Sequence, residues 1–287
     1  MRTTTISLSA CVFAAGLLSA NYKLEERETI HHTFSNDHTI DVDEVNGFIN
    51  VTGDDGNTIR VDAEKVMRAD DAEEMARAKR EVVLDINEKD GIAQLYVNGP
   101  NRDGGHGSDN HGFHDHDSSD RGSRHYEVTY NFTIHVPRAT VLQLRTVNGR
   151  IEAEDTTGKF DLHTINGEVK MTNVAGSGSA ETLNGATVIT FRENPKADSL
   201  FKSFNGKVDV SFLPVLSANL RVKTFNGTAY TDFEATALAN MPGKAEQKNG
   251  KFVYRSDRTS SLKVGTGGPE LKFETFNGNI QIRKLAR

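Results

Sequence analysis

Between Leu142 and Phe191 one pattern of apolar and polar positions is written three times. Each copy has Thr, a bulky apolar residue, Asn-Gly, and then alternating apolar and polar residues. The pairs Asn148-Gly149, Asn166-Gly167 and Asn184-Gly185 stand 18 residues apart. Asn205-Gly206, Asn226-Gly227 and Asn277-Gly278 continue the series, and Asn46-Gly47 is a lone early copy. Two places before Asn stand Thr146, Thr164, Thr182, Ser203, Thr224 and Thr275, with Glu44 the exception. Two places after Gly come Ile49, Ile151, Val169, Thr187, Val208, Ala229 and Ile280. Alternate residues of a strand share a face, so these columns predict inward positions, with Arg150, Glu152, Glu168 and Lys170 facing water.

Asn and Gly both accept positive φ, so the pair bends an extended chain sharply. Such a bend serves either a type I′ hairpin or the corner of a coil. A meander gives no reason for the same four residues at every second turn. A coil does, because like must stack on like. The expectation is a single-domain, all-β β-solenoid, β-helix-like, with amides laddering from copy to copy; a meander or sandwich is the competing architecture.

Outside the repeat, Glu25–Phe34 and Thr58–Val66 read as strands, and Val82–Ile86 and Ile92–Val97 as two more joined at Lys89-Asp90-Gly91. One short helix is predicted over 69–80, capped by Asp70 or Asp71, with acids in its first turn and bases in its last. Residues 1–20 read as a signal peptide with cleavage after Ala20, and their apolar run is too short for a membrane-spanning helix. Residues 21–97 read as an N-terminal part of the β-domain, 98–124 as a disordered insertion, and 125–287 as the repeat solenoid.

Composition narrows the function. Of 287 residues 36% are hydrophobic and 7% aromatic, with no Trp, which suits a thin coil. The formal charge is −6 with no basic patch, which argues against a nucleic-acid partner. The sole cysteine, Cys11, lies in the apolar run, where an ordinary signal residue is favoured over a lipoprotein anchor.

The order of these features resembles the bacterial DUF4097 family, named for a suspected adhesin role. The resemblance rests on Phe132-Thr133-Ile134-His135-Val136-Pro137, on Leu142-Gln143-Leu144-Arg145-Thr146-Val147-Asn148-Gly149, and on the serial Thr-x-Asn-Gly copies, over about residues 28–284. It implies an exported, solenoid-like envelope or surface protein, an adhesin or scaffold, with no catalytic residue to carry over. The histidine-rich segment departs from the family's usual pattern.

That segment holds His106, His111, His114, His116 and His125 among several aspartates. Imidazole with carboxylate suits zinc, nickel or copper, so His106, His111, His114, His116 and Asp117 are candidate ligands for weak binding. A structural zinc site needs rigidly placed ligands, which a flexible loop lacks. No nucleophile elbow, zinc-protease helix or phosphate loop is present, and Gly176-Ser177-Gly178-Ser179 reads as a turn. Glu152, Glu154, Asp155, Asp161 and Glu168 are spaced for a glycosidase pair, against the ordinary reading of a solvated face. Phe204, Phe225 and Phe276 are expected in the core. Lys202, Lys207, Arg221 and Lys223 are surface cations that would suit acidic glycans or headgroups.

The reading is therefore a non-enzymatic exported protein of the periplasm, outer envelope or cell surface. Its partners would be an envelope protein, a glycan or a second copy, met on stacked β-faces. The alternatives are a metal-binding protein using residues 106–125 and, behind it, a carbohydrate-active β-helix enzyme.

Overall fold

The computed structural model describes residues 7–9, 22–35, 39–100, 125–238, 245–248, 251–254 and 259–286. Of the segment read as an export signal, only the backbone of Ser7–Ser9 is described, as a strand antiparallel to Leu24–Ser35. The chain is a single, nearly all-β domain with two 11-stranded mixed sheets and one helix among the described residues.

The Asn-Gly pairs decide which sheet a strand joins. Strands running into them form an approach sheet: Val141–Asn148, Phe160–Asn166, Gly178–Asn184, Ser199–Asn205, Ala218–Asn226 and Glu270–Asn277. Strands leaving them form a departure sheet: Ile151–Glu154, Val169–Val174, Thr187–Phe191, Val208–Phe212, Ala229–Thr231 and Ile280–Lys284. Neighbouring copies pair parallel and in register, Asn148 with Asn166 and Asn166 with Asn184. Within the repeat series the pairs do not form hairpins, because each of the seven joins strands of different sheets; outside the series, Asn249-Gly250 stands between Ala245–Lys248 and Lys251–Tyr254, which pair antiparallel. The early copy obeys the same rule: Thr39–Asp43 runs beside Val141–Asn148, and Ile49–Asp54 beside Ile151–Glu154.

Stack order departs from chain order once. Glu270–Asn277 lies between Ser199–Asn205 and Ala218–Asn226, and Ile280–Lys284 lies between Val208–Phe212 and Ala229–Thr231. The last copy in the chain is thus an interior layer. Its Leu271, Phe273 and Ile280 are fully buried, and Phe273 packs against Phe201 at 5.3 Å and Phe212 at 6.2 Å.

The core lies between the sheets. The departure columns are buried from Ile49 through Ile151, Val169, Thr187, Val208 and Ile280, while Ala229, at the end of the stack, is exposed. Arg150, Glu152, Glu168 and Lys170 point outward, as alternation requires.

The other end is built antiparallel. Leu24–Ser35, Thr58–Ala69 and Tyr126–Pro137 pair along their lengths. The helix spans Ala72–Glu81, a few residues later than expected, because Asp71 caps it: its side chain accepts from the Glu73 and Glu74 N–H groups. Met75 and Ala78 face the core. Val83–Lys89 and Ile92–Asn98 form the expected hairpin, with Asp90 at φ 54° and Gly91 at φ 77°.

The corner glycines are required for a different reason from the one the sequence suggested. Among the described residues no corner Asn has positive φ. Glycine is demanded by the neighbouring layer instead: a Cβ on Gly167 would stand 1.9 Å from the Gly149 carbonyl oxygen. The same holds for Gly185 over Gly167, Gly206 over Gly185 and Gly278 over Gly206, at 1.9 to 2.0 Å. Stacking fixes the residue in every layer, and backbone conformation adds to it at Gly47 and Gly185, with φ 140° and 158°.

Candidate functional site

The Asn-Gly edge carries three regular columns. In the first, side-chain amides hydrogen-bond in a continuous ladder. Asn148 donates to Asn46 at 2.9 Å, Asn166 to Asn148 at 2.8 Å, Asn184 to Asn166 at 2.9 Å and Asn205 to Asn184 at 2.8 Å. Asn277 then donates to Asn205 at 2.7 Å, and Asn226 to Asn277 at 2.8 Å. Each interior amide both gives and receives, which satisfies one donor and one acceptor per layer and holds the register.

The second column is the hydroxyl two places before Asn. Thr164 donates to the Gly149 carbonyl and Thr182 to that of Gly167, each at 2.8 Å. Ser203, Thr275 and Thr224 repeat the bond to Gly185, Gly206 and Gly278. The Glu44 exception also fits: Glu44 is buried and accepts from the Thr146 hydroxyl at 2.8 Å. The hydroxyls therefore face inward and tie each layer to the backbone of the next.

The third column corrects the expectation for the phenylalanines, which are not core. Because Thr at the second place before Asn is inward, the residue directly before Asn must face out. Leu183, Phe204, Phe276 and Phe225 are 44, 40, 38 and 52% exposed. The Phe204 and Phe276 rings stack at 4.8 Å and 2°, and Phe225 and Phe276 at 4.7 Å and 4°. Phe276 has a ring against each face, so its edge meets solvent, while Phe204 and Phe225 each have one face covered. The phenylalanines that do fill the core include Phe34, Phe132, Phe160, Phe191, Phe201, Phe212 and Phe273.

Beside this apolar ladder runs a row of charges. Register places Asp43, Arg145, His163, Glu181, Lys202, Glu274 and Lys223 in successive layers of the approach sheet. Acid and base alternate almost throughout, as parallel in-register strands favour. Lys202 meets Glu181 at 3.2 Å. Two of the other cations singled out from sequence are also matched: Lys207 with Asp209 at 3.5 Å, and Arg221 with Glu270 at 3.8 Å. These cations do not gather into a basic patch.

The carboxylates considered for glycoside chemistry are divided between the sheets. Glu152 and Glu154 lie on the departure sheet and Asp161 on the approach sheet. Glu152 is 3.5 Å from Arg150 and 3.9 Å from Lys170. His163 beside Asp161, at 2.8 Å, holds that carboxyl below its usual range, with Arg145 adding to the effect. A general acid needs the opposite shift. Asp155 serves the far corner, with positive φ and a hydrogen bond from Asn173.

A shallow depression of about 590 Å³ is lined by Lys159, Ser177, Gly178, Lys196, Ala197, Asp198 and Pro269. Its polar backbone is engaged: Ser177 Oγ accepts from Ala197 N–H, and Gly178 N–H donates to Ser199 Oγ. The proposed metal ligands His106, His111, His114, His116 and Asp117 lie outside the described residues. His125 is described, 3.0 Å from Asp70. Among the described residues no cluster of three or more histidines, cysteines or acids could hold a metal. Among them, too, no helix is long and apolar enough to cross a membrane.

No family model matches the chain, and no curated protein does. Two solved structures resemble it loosely. One is described as a "putative cell adhesion protein" from Clostridium sporogenes, 10% identical, covering 91% of this chain and 100% of that one, with a TM-score of 0.41. The other is described as a "putative lipid binding protein" from Parabacteroides distasonis, 7% identical, covering 91% and 97%, with a TM-score of 0.25. Scores this low carry no argument about fold or function.

Proposed function

We propose that this chain is an exported, non-enzymatic β-solenoid that acts as an envelope or cell-surface scaffold, binding partners along its stacked faces. The observation that carries the reading is the corner edge. There a solvent-facing apolar ladder of Leu183, Phe204, Phe276 and Phe225 is held rigid by the amide ladder and the inward hydroxyls. Exposed apolar residues in an unbroken row are unusual on a monomer surface and mark contact sites. Fixing them on strands, with neighbouring rings stacked, removes much of the ordering cost that binding otherwise carries.

Catalysis has no comparable support. Glu152 meets Arg150 and Lys170, and Asp161 is shifted toward the ionised form. The proposal is tested by fractionating the producing cells and measuring retention of the purified mature chain on envelope preparations. Wild type is retained and the double variant Phe204→Ser/Phe276→Ser is released. Cytosolic residence, or equal retention of both forms, removes the reading.

A further inference from the structure

We infer that the partner of the apolar ladder is a second copy of this chain, docked face to face with its stack reversed. The proposal rests on the reading of this edge as a binding face, and it adds the identity of the occupant.

Two observations select that occupant. The first is pitch. Ring centroids repeat at 4.7 to 4.8 Å along the ladder, the spacing of hydrogen-bonded strands. A partner that meets every layer must repeat at the same interval, and another stack of this kind does. A sugar ring or flat ligand would need open ring faces, and here both faces of Phe276 and one face each of Phe204 and Phe225 lie against another ring.

The second is charge order. Next to the ladder, on the same outward face, Glu181, Lys202, Glu274 and Lys223 follow one another in the four layers that carry Leu183, Phe204, Phe276 and Phe225. A two-fold axis along the strand direction, midway between the Phe204 and Phe276 layers, reverses this order in the partner. Glu181 then faces Lys223 of the partner subunit, and Lys202 faces Glu274 of the partner subunit; the other two contacts are their symmetry mates. Every position meets its opposite. The apolar column meets itself, Phe204 against the partner's Phe276 and Leu183 against the partner's Phe225. One patch thus serves both sides, as an isologous interface requires. A net-neutral row offers nothing comparable to a uniformly anionic membrane or glycan.

The contact is narrow compared with the roughly 800 Å² per partner of a stable complex, so a concentration-dependent monomer–dimer equilibrium is expected. Sedimentation velocity of the mature chain, across a dilution series up to about 1 mM, reads it. Wild type shifts to dimer with concentration, and Phe204→Ser/Phe276→Ser stays monomeric with an unchanged melting curve. The deciding pair is electrostatic. Lys202→Glu alone opposes two acids across the axis and abolishes the dimer. Lys202→Glu/Glu274→Lys restores opposite charges across the axis, yet leaves as many like-charged neighbours within the chain as the single variant does. Recovery of the dimer in the double variant supports the reversed docking; a double variant as monomeric as the single one overturns it. A wild type that stays monomeric throughout also overturns it, as does a monomer that sediments with phosphatidylcholine vesicles through the same phenylalanines. Each of these outcomes leaves the retention test of the scaffold reading intact.

Discussion

The two ends of the molecule hold together by different means. The antiparallel end, Leu24–Ser35 with Thr58–Ala69 and Tyr126–Pro137, relies on long strands, a docked helix and individually tailored polar contacts. Lys65 is buried there, its Nζ giving 2.7 Å to the Val82 carbonyl and lying 5.8 Å from the Tyr130 ring centre; burial pushes its pKa down. The parallel stack, closed at its far edge by Thr259–Val264 antiparallel to Ala218–Asn226, has few such singular contacts. It repeats one amide, one hydroxyl and one glycine per layer. Regularity therefore spreads risk unevenly: a defect in a repeated column disturbs two neighbouring layers, whereas a defect in the antiparallel end remains local.

The sharpest way to break this contrast is to exchange glycines for alanine at each end. Gly167→Ala drives a methyl into the Gly149 backbone and should cost about 3 kcal/mol or more by urea denaturation. Asn166→Ala removes one donated and one accepted amide bond from the middle of the ladder, a loss of about 1–2 kcal/mol in the same measurement. Gly91→Ala, in the antiparallel end, meets nothing within 4 Å and pays only for its positive φ, about 1 kcal/mol. If Gly91→Ala proves as damaging as Gly167→Ala, layer-to-layer contact is not what sets the corner residue.

The smallest effect concerns pH. His32 is 7% exposed, edge-on to Phe34 at 4.3 Å, and its Nδ1 has no hydrogen-bond partner. Burial lowers its pKa, opposed by the charge of Glu88. With the folded value below the unfolded one, the folded chain binds fewer protons in the interval between them. Stability is full above the unfolded value near 6.5 and falls as pH drops through that interval toward the folded value. His32→Phe should flatten this part of the stability–pH curve while the corner variants keep its slope; denaturation midpoints at mildly acidic and neutral pH compare them.

Much of the fold is legible because the repeat is written in residue types with single physical uses. Thr-x-Asn-Gly announces a corner, and alternation after it announces a strand with one face buried. Three things escape. The exposure of Phe204, Phe225 and Phe276 is masked by their apolarity, although strand parity places them opposite Thr and Ser and could have revealed it. The reason for glycine is invisible until the next layer is present. The order of layers cannot be read at all, since Asn277 fits between Asn205 and Asn226 as well as any other copy would. At the antiparallel end, Asp71 and the Asp90-Gly91 turn are local signals and read directly, whereas the burial of Lys65 depends on where the helix docks. The candidate binding edge is thus half legible: its residues are in plain sight, and their direction is not.

The layer made by residues 270–284 has a consequence for biosynthesis. It is translated after Ala218–Asn226 yet lies inside that layer, against Ser199–Asn205. A chain that emerges N-terminus first, from the ribosome or across a membrane, presents that outer layer before its neighbour exists, so the layer must wait, or settle on the wrong neighbour and be prised off. A stop codon before residue 270 would remove an interior layer rather than an outer one, leaving Ser199–Asn205 and Ala218–Asn226 without the strand that joins them.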